Sequence, residues 1–132
     1  MSRIRFRLRD SVNAMRGVAG APALALNTAL NAAAFTHAQD MAAREESDHI
    51  GSDGSSPIER AQRMGYRGTV LGEVTAETYG AERDTVTAWM MRADTRAVLI
   101  DPRGRELGIG LFQQESGKIW WCLLVGDGGR AG

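Results

Sequence analysis

The sequence predicts an α+β fold, with helices covering a mostly antiparallel sheet, and three observations carry that expectation. Apolar residues recur at helical spacing through the first half of the chain, interrupted by glycine and proline. The segment TVLGEVTAE has the composition of a strand. Near the C-terminus, ELGIGLF and KIWWCLLV flank the short loop QESG, which reads as a β-hairpin. The order helix, helix, helix, strand, helix, strand, strand in 132 residues, without repeat, linker or low-complexity tract, implies one domain over residues 1–132.

At the N-terminus RIRFRLR, residues 3–9, alternates arginine with Ile4, Phe6 and Leu8. Period two predicts a basic edge strand whose arginines keep it from pairing indiscriminately. Leu8, Val12 and Met15 then fall at i, i+4 and i+7, a helical stripe closed by Gly17 and Gly20. Asn27 is placed to cap a second helix, with Leu30, Ala33, Ala34, His37 and Met41 along one face and an end near Glu46. Its alanine content predicts close packing against a neighbour. His37, on that apolar face, is expected to be a core histidine donating to a backbone carbonyl.

Ser56-Pro57-Ile58-Glu59 spells a capping box with proline at the first helical position, and Gly65 ends that short helix. A fourth helix is expected from about Glu82 to Arg92, turning Val86, Trp89 and Met90 inward. Asp94 is expected to cap one more turn, TRAVLI, which Pro102 terminates. Trp120 and Trp121 must point to opposite faces of their strand.

Sixteen basic residues balance sixteen acidic ones, so no overall field draws the chain to nucleic acid or an anionic membrane. No basic groove flanks the tryptophans to stack bases. No apolar run approaches the ~18 residues of a membrane span. The basic MSRIRFRLRD is followed by no hydrophobic stretch, so it does not read as an intact signal peptide; an internal protein and one whose leader has been removed both satisfy this. The single cysteine, Cys122, allows no intrachain disulfide and, inside IWWCLLV, is expected to be a buried inert thiol.

Several segments, in order, carry a family resemblance. LNTALNAAAFTHAQDMA looks like an alanine-rich helix of the CAP superfamily, and HIGSDGSSPIERAQRMGY like that family's histidine, Asp-Gly turn and "R…GY" helix. LGEVTAE is similar to its "GEN" strand, WMMRADTRAVLIDP to its tryptophan-to-proline segment, and GIGLF…GKIWWCLLVG to its closing hairpin. Over about residues 8–126 the chain thus resembles the cysteine-rich secretory, antigen 5 and pathogenesis-related proteins, in their compact bacterial form. The resemblance implies a three-layer α-β-α sandwich and a cleft holding two histidines and two acids. Position by position, it assigns the first histidine to His49 and the strand acid to Glu73. The other acid has no match in register, Asp53 being the nearest carboxylate, and the second histidine is replaced by Thr95.

That replacement shapes the expected chemistry. Catalytic zinc usually takes three protein ligands, and His49, Glu73 and Asp53 with a threonine hydroxyl form a poor set, so His49 and Glu73 are at most weak metal ligands and no cofactor is expected. His49 oriented by Glu73 has the makings of a general base. Yet no G-x-S-x-G elbow is present, and Ser56 is committed as a helix cap. Three functions stay open: a non-enzymatic binding module for a lipid-like small molecule or protein partner, secreted or periplasmic as the resemblance implies; a hydrolase or peptidase using His49 and Glu73; and an interaction domain pairing through the N-terminal strand. A monomer or weak dimer is expected.

Overall fold

Residues 3–9 form part of a helix, not a strand. In the computed structural model, which describes residues 2–129, helix α1 spans Ser2–Ala19. Ile4, Leu8, Val12 and Met15 continue one helical stripe, in which Leu8 and Val12 are wholly buried. Phe6, which a strand would bury beside Leu8, is instead 47% exposed, and the Arg9 guanidinium lies 5.0 Å above its ring. Arginine is also a good helix former. The alternation at residues 3–9 is therefore incidental, and that segment offers no strand for a partner to extend.

The remaining elements are β1 (Ala25–Leu26), α2 (Thr28–Arg44), α3 (Pro57–Arg63), β2 (Val70–Thr78), α4 (Glu82–Met90), α5 (Ala93–Leu99), β3 (Glu106–Gln113) and β4 (Ile119–Gly126). The sheet order is β1-β3-β4-β2. The β3–β4 hairpin and the β2–β4 pair are antiparallel, while β1 joins β3 in parallel. Two residues are too few to show a period, so β1 is invisible in the sequence pattern. Helix α2 covers one face, where it meets Trp120, Cys122 and Leu124. Helices α1, α4 and α5 cover the other, around Val74, Trp121 and Leu123. Both tryptophans of the hairpin are buried, one in each layer, as alternation along a strand requires.

Several caps form as the sequence implies. Asn27 Oδ1 accepts from Leu30 N at 2.9 Å. Ser56 and Glu59 complete a reciprocal capping box at the start of α3. The α4–α5 junction differs from expectation: Arg92, not Asp94, is the N-cap of α5, without a side-chain cap. The Asp94 carboxylate accepts from Arg92 at 3.2 Å instead, an ion pair competing for the same oxygens.

Two close approaches fix the layers. Gly108 and Gly110 of β3 lie under α2, where an added Cβ would fall 2.4 Å from Leu30 backbone atoms and 2.1 Å from Phe35 N respectively. The alanines of α2 reach the sheet because these glycines make room. On the opposite side, the fully buried Arg16 donates to four carbonyls: Pro22 O at 2.7 Å, Leu99 O and Asp101 O at 2.9 Å, and Gly104 O at 3.2 Å. Desolvation pulls its pKa below the usual guanidinium value. It ties the end of α1 to the turn between α5 and β3.

Candidate functional site

Glu73 is the centre of a buried polar cluster. It lies on β2, an edge strand of the sheet, opposite Leu124, and its side chain is 1% exposed. His49 Nδ1 donates to Glu73 Oε1 at 2.8 Å. Arg60 Nη2 donates to Oε2 at 2.8 Å, and the Cys122 thiol donates to the same oxygen at 3.3 Å. His37 Nε2 stands 3.9 Å from Oε1. A buried carboxylate without such donors would be costly; here both oxygens are engaged.

The same residues pin the loop between α2 and α3. Arg60 Nη1 donates to Ser55 O at 2.8 Å, and Nη2 also donates to His49 O at 3.1 Å, so one guanidinium grips both ends of the turn. His37, wholly buried as its place on the apolar face implies, donates from Nε2 to Asp48 O at 2.6 Å. Arg44 donates to both carboxylate oxygens of Asp48, at 3.0 and 3.1 Å. The capping box sets where α3 begins, and thereby where Arg60 points. Arg60 is the residue that sequence reasoning missed. Its signal was an arginine four positions after a well-marked N-cap, beside the buried Ala61.

His49 and Glu73 are thus brought together, while Asp53 and Thr95 are bonded elsewhere. Asp53 accepts from Ser55 N at 3.0 Å and from Arg63 Nη1 at 2.6 Å. Hydrogen bonds from Ser55 and Arg63 hold its carboxyl well below the ordinary aspartate range. The Thr95 hydroxyl donates to Trp89 O at the α4–α5 junction. These donors do not fit a zinc ion. Only His49 and Glu73 of the expected set are adjacent, and a guanidinium already occupies the second oxygen of Glu73. Among the described residues, no group of three or more His, Cys, Asp or Glu side chains is arranged to hold a metal.

The thiol of Cys122 is fully buried, and desolvation followed by the nearby Glu73 charge raises its pKa well above the usual value, so it stays protonated and unreactive. Ser47 Oγ donates to Thr75 Oγ1 at 3.0 Å, and Ser56 Oγ caps α3. Neither hydroxyl is bonded to the imidazole of His49, which is 57% exposed.

A model of the cysteine-rich secretory protein family, CAP, matches residues 9–124. The chain belongs to the CAP family. Among relatives, the uncharacterized protein YkwD of Bacillus subtilis (strain 168) is 28% identical over 117 residues, 89% of this chain and 45% of that protein. An outer surface protein of Borrelia burgdorferi has the same fold, with a TM-score of 0.87 at 16% identity, covering 95% of this chain and 92% of that one. An extracellular SCP-domain protein of Bacillus anthracis str. Ames gives 0.81 at 20% identity, covering 90% of this chain and 39% of that one. The chain therefore spans less than half the length of YkwD and of the Bacillus anthracis protein. The CAP fold accounts for the α-β-α layering. Within this CAP domain, the two residues that the resemblance assigns to the first histidine and the strand acid, His49 and Glu73, are hydrogen-bonded to each other. No helix among the described residues is long and apolar enough to cross a membrane.

The His49–Glu73 pair has a measurable signature. The hydrogen bond to Glu73 raises the pKa of His49 against the opposing effect of desolvation. A raised folded-state pKa means that the contribution is fully present below the unfolded value, near ~6.5, and is lost as pH rises through the folded value. Urea unfolding of wild type and His49→Ala should therefore differ more at about pH 5 than at about pH 8. An equal gap at both pH values would show that the imidazolium–carboxylate pair contributes nothing to stability.

Proposed function

We propose that this CAP domain is a non-enzymatic binding module that works outside the cytoplasm. The observation carrying the proposal is the engagement of both oxygens of Glu73, by His49, Arg60 and Cys122. A carboxylate that accepts from three protein donors, one of them a guanidinium, is built to hold a loop and is already neutralised as a metal ligand or proton acceptor. Relatives named as extracellular and outer-surface proteins support the location.

The partner is a small molecule or another protein. A cavity of about 250 Å³ lies between α2, α3 and the loop joining them. Eight of its nine lining side chains bear a polar group while most of the surface they expose is apolar, which suits a small molecule with both polar and apolar parts.

One observation favours a second reading. The 2.8 Å bond from His49 Nδ1 to Glu73 leaves the outward Nε2 positioned as a general base acting on water. Incubating the protein with a diverse peptide library, with and without added zinc, separates the two. The binding reading expects no cleavage in either condition. Cleavage that disappears in His49→Ala would replace it with hydrolysis.

A further inference from the structure

The cavity between α2 and α3 is lined by two buried polar side chains whose hydrogen-bonding capacity is incomplete. His37 is wholly buried and Arg60 is 5% exposed. His37 Nδ1 and Arg60 Nε have no hydrogen-bond partner among the described residues. Their chemistry is defined by the bonds they do make. Asp48 O can only accept, so His37 Nε2 carries the proton of that 2.6 Å bond and Nδ1 of the neutral ring is an acceptor. Arg60 Nε–H is a donor whatever its surroundings. The unsatisfied acceptor and donor belong to two residues that line one cavity, and each is costly.

The charges around the cavity are already matched in place. Arg60 pairs with Glu73 at 2.8 Å, Arg63 with Asp53 at 2.6 Å and Asp40 with Arg44 at 3.3 Å. An entering ion would meet no uncompensated counter-charge and would lose its hydration. Met64, 41% exposed, and the aliphatic stems of Arg60 and Arg63 supply apolar contact. The volume of about 250 Å³ falls just below the range of about 300–1,000 Å³ typical of drug-sized sites, and suits a molecule of monosaccharide size.

We propose that the α2–α3 cavity is a binding site for a small neutral molecule bearing a hydroxyl or amide group, which donates to His37 Nδ1 and accepts from Arg60 Nε–H. This rests on the reading of the domain as a binder. The group must do both, which a carboxylate or an ammonium does not. Sugars, polyols and acetamido compounds share this chemistry, and the choice of probe separates them.

The test is a titration of ¹⁵N-labelled protein, followed by backbone amide and imidazole nitrogen resonances. The probes are acetamide, glycerol and N-acetylglucosamine, with sodium acetate at equal ionic strength as the charged control. The expected result is saturable movement of the Thr36, Ser52 and Met64 amides, with the His37 Nδ1 resonance moving upfield as it gains a donor. Acetamide alone moving them identifies the amide; glycerol alone identifies the hydroxyl. Met64→Trp, which fills the cavity mouth without removing a buried group, should abolish the movement while leaving the thermal midpoint near wild type.

Three results overturn the proposal: no saturable movement with any neutral probe, movement by acetate equal to that by the neutral probes, or movement unchanged in Met64→Trp. None depends on cleavage of peptides. Failure here leaves the binding reading standing, and failure of that reading through His49-dependent cleavage is read in a separate assay.

Discussion

Replacing Arg16 with methionine is expected to destabilise the fold by about 3–5 kcal/mol, on the order of 2 M in urea midpoint with the slope unchanged. The guanidinium is wholly buried and serves four carbonyls, from Pro22, Leu99, Asp101 and Gly104. Methionine fills much of the same volume but offers no donor: Leu99 O loses its side-chain partner in the interior and Pro22 O loses its own nearer the surface, while Asp101 O keeps Gly104 N at 3.0 Å and Gly104 O keeps Arg105 Nη1 at 2.8 Å. Each orphaned acceptor costs about 1–3 kcal/mol where it cannot relax toward solvent. Arg16→Lys should fall between the two, because an ammonium keeps the charge but cannot span the same fan of carbonyls. A loss below about 1 kcal/mol for Arg16→Met would mean that the turn between α5 and β3 finds water without this residue.

Glu73→Leu is expected to cost a comparable amount, about 3–5 kcal/mol, for a different reason. It strands the Arg60 guanidinium, 5% exposed, without its counter-charge. Adding Arg60→Met should recover part of that loss by removing the buried cation. Recovery is incomplete, because His49 O loses its donor and Ser55 O keeps only Gly51 N, at 2.9 Å. A double-mutant cycle between the two positions should show coupling well above the few tenths of a kcal/mol seen for independent sites. Strict additivity would show that the pair acts as two unrelated groups. In the single variant the His49 titration should also fall back toward an ordinary histidine, since its main cause of elevation is gone.

Local chemistry made much of the fold legible. The Asn27 cap, the Ser56–Glu59 capping box and the hairpin around QESG are short-range arrangements in which neighbouring residues decide the outcome. Where local signals conflicted, the longer one prevailed. Seven residues of strand-like alternation at 3–9 gave way to a helical stripe running on through Val12 and Met15. Strand β1 left no trace because its pairing to β3 is held by backbone bonds, among them Ala25 N to Arg105 O and Asn27 N to Leu107 O, which side-chain identity hardly constrains.

The candidate site was half legible. His49 and Glu73 stand 24 positions apart, and only the resemblance to a family suggested that they meet. Arg60 and Cys122 went unassigned as partners of Glu73 because their roles arise from depth. An arginine on a short polar helix reads as a surface residue until the strand beneath it supplies a carboxylate. The unmatched nitrogens of His37 and Arg60 are likewise a property of packing, and no spacing rule reveals them.

The glycine pair beneath α2 has a mechanical consequence. With backbone of α2 riding directly on Gly108 and Gly110, the helix behaves as a rail clamped to the sheet, and sliding or rolling it would drive main chain into main chain. Any breathing of the adjacent pocket must then come from its other wall, the turn from Gly51 to Ser56 and the short helix it leads into, and would first have to break the bonds by which Arg60 and Asp40 hold that turn. The clamped wall keeps its shape throughout, so the pocket has one fixed side and one side that is latched.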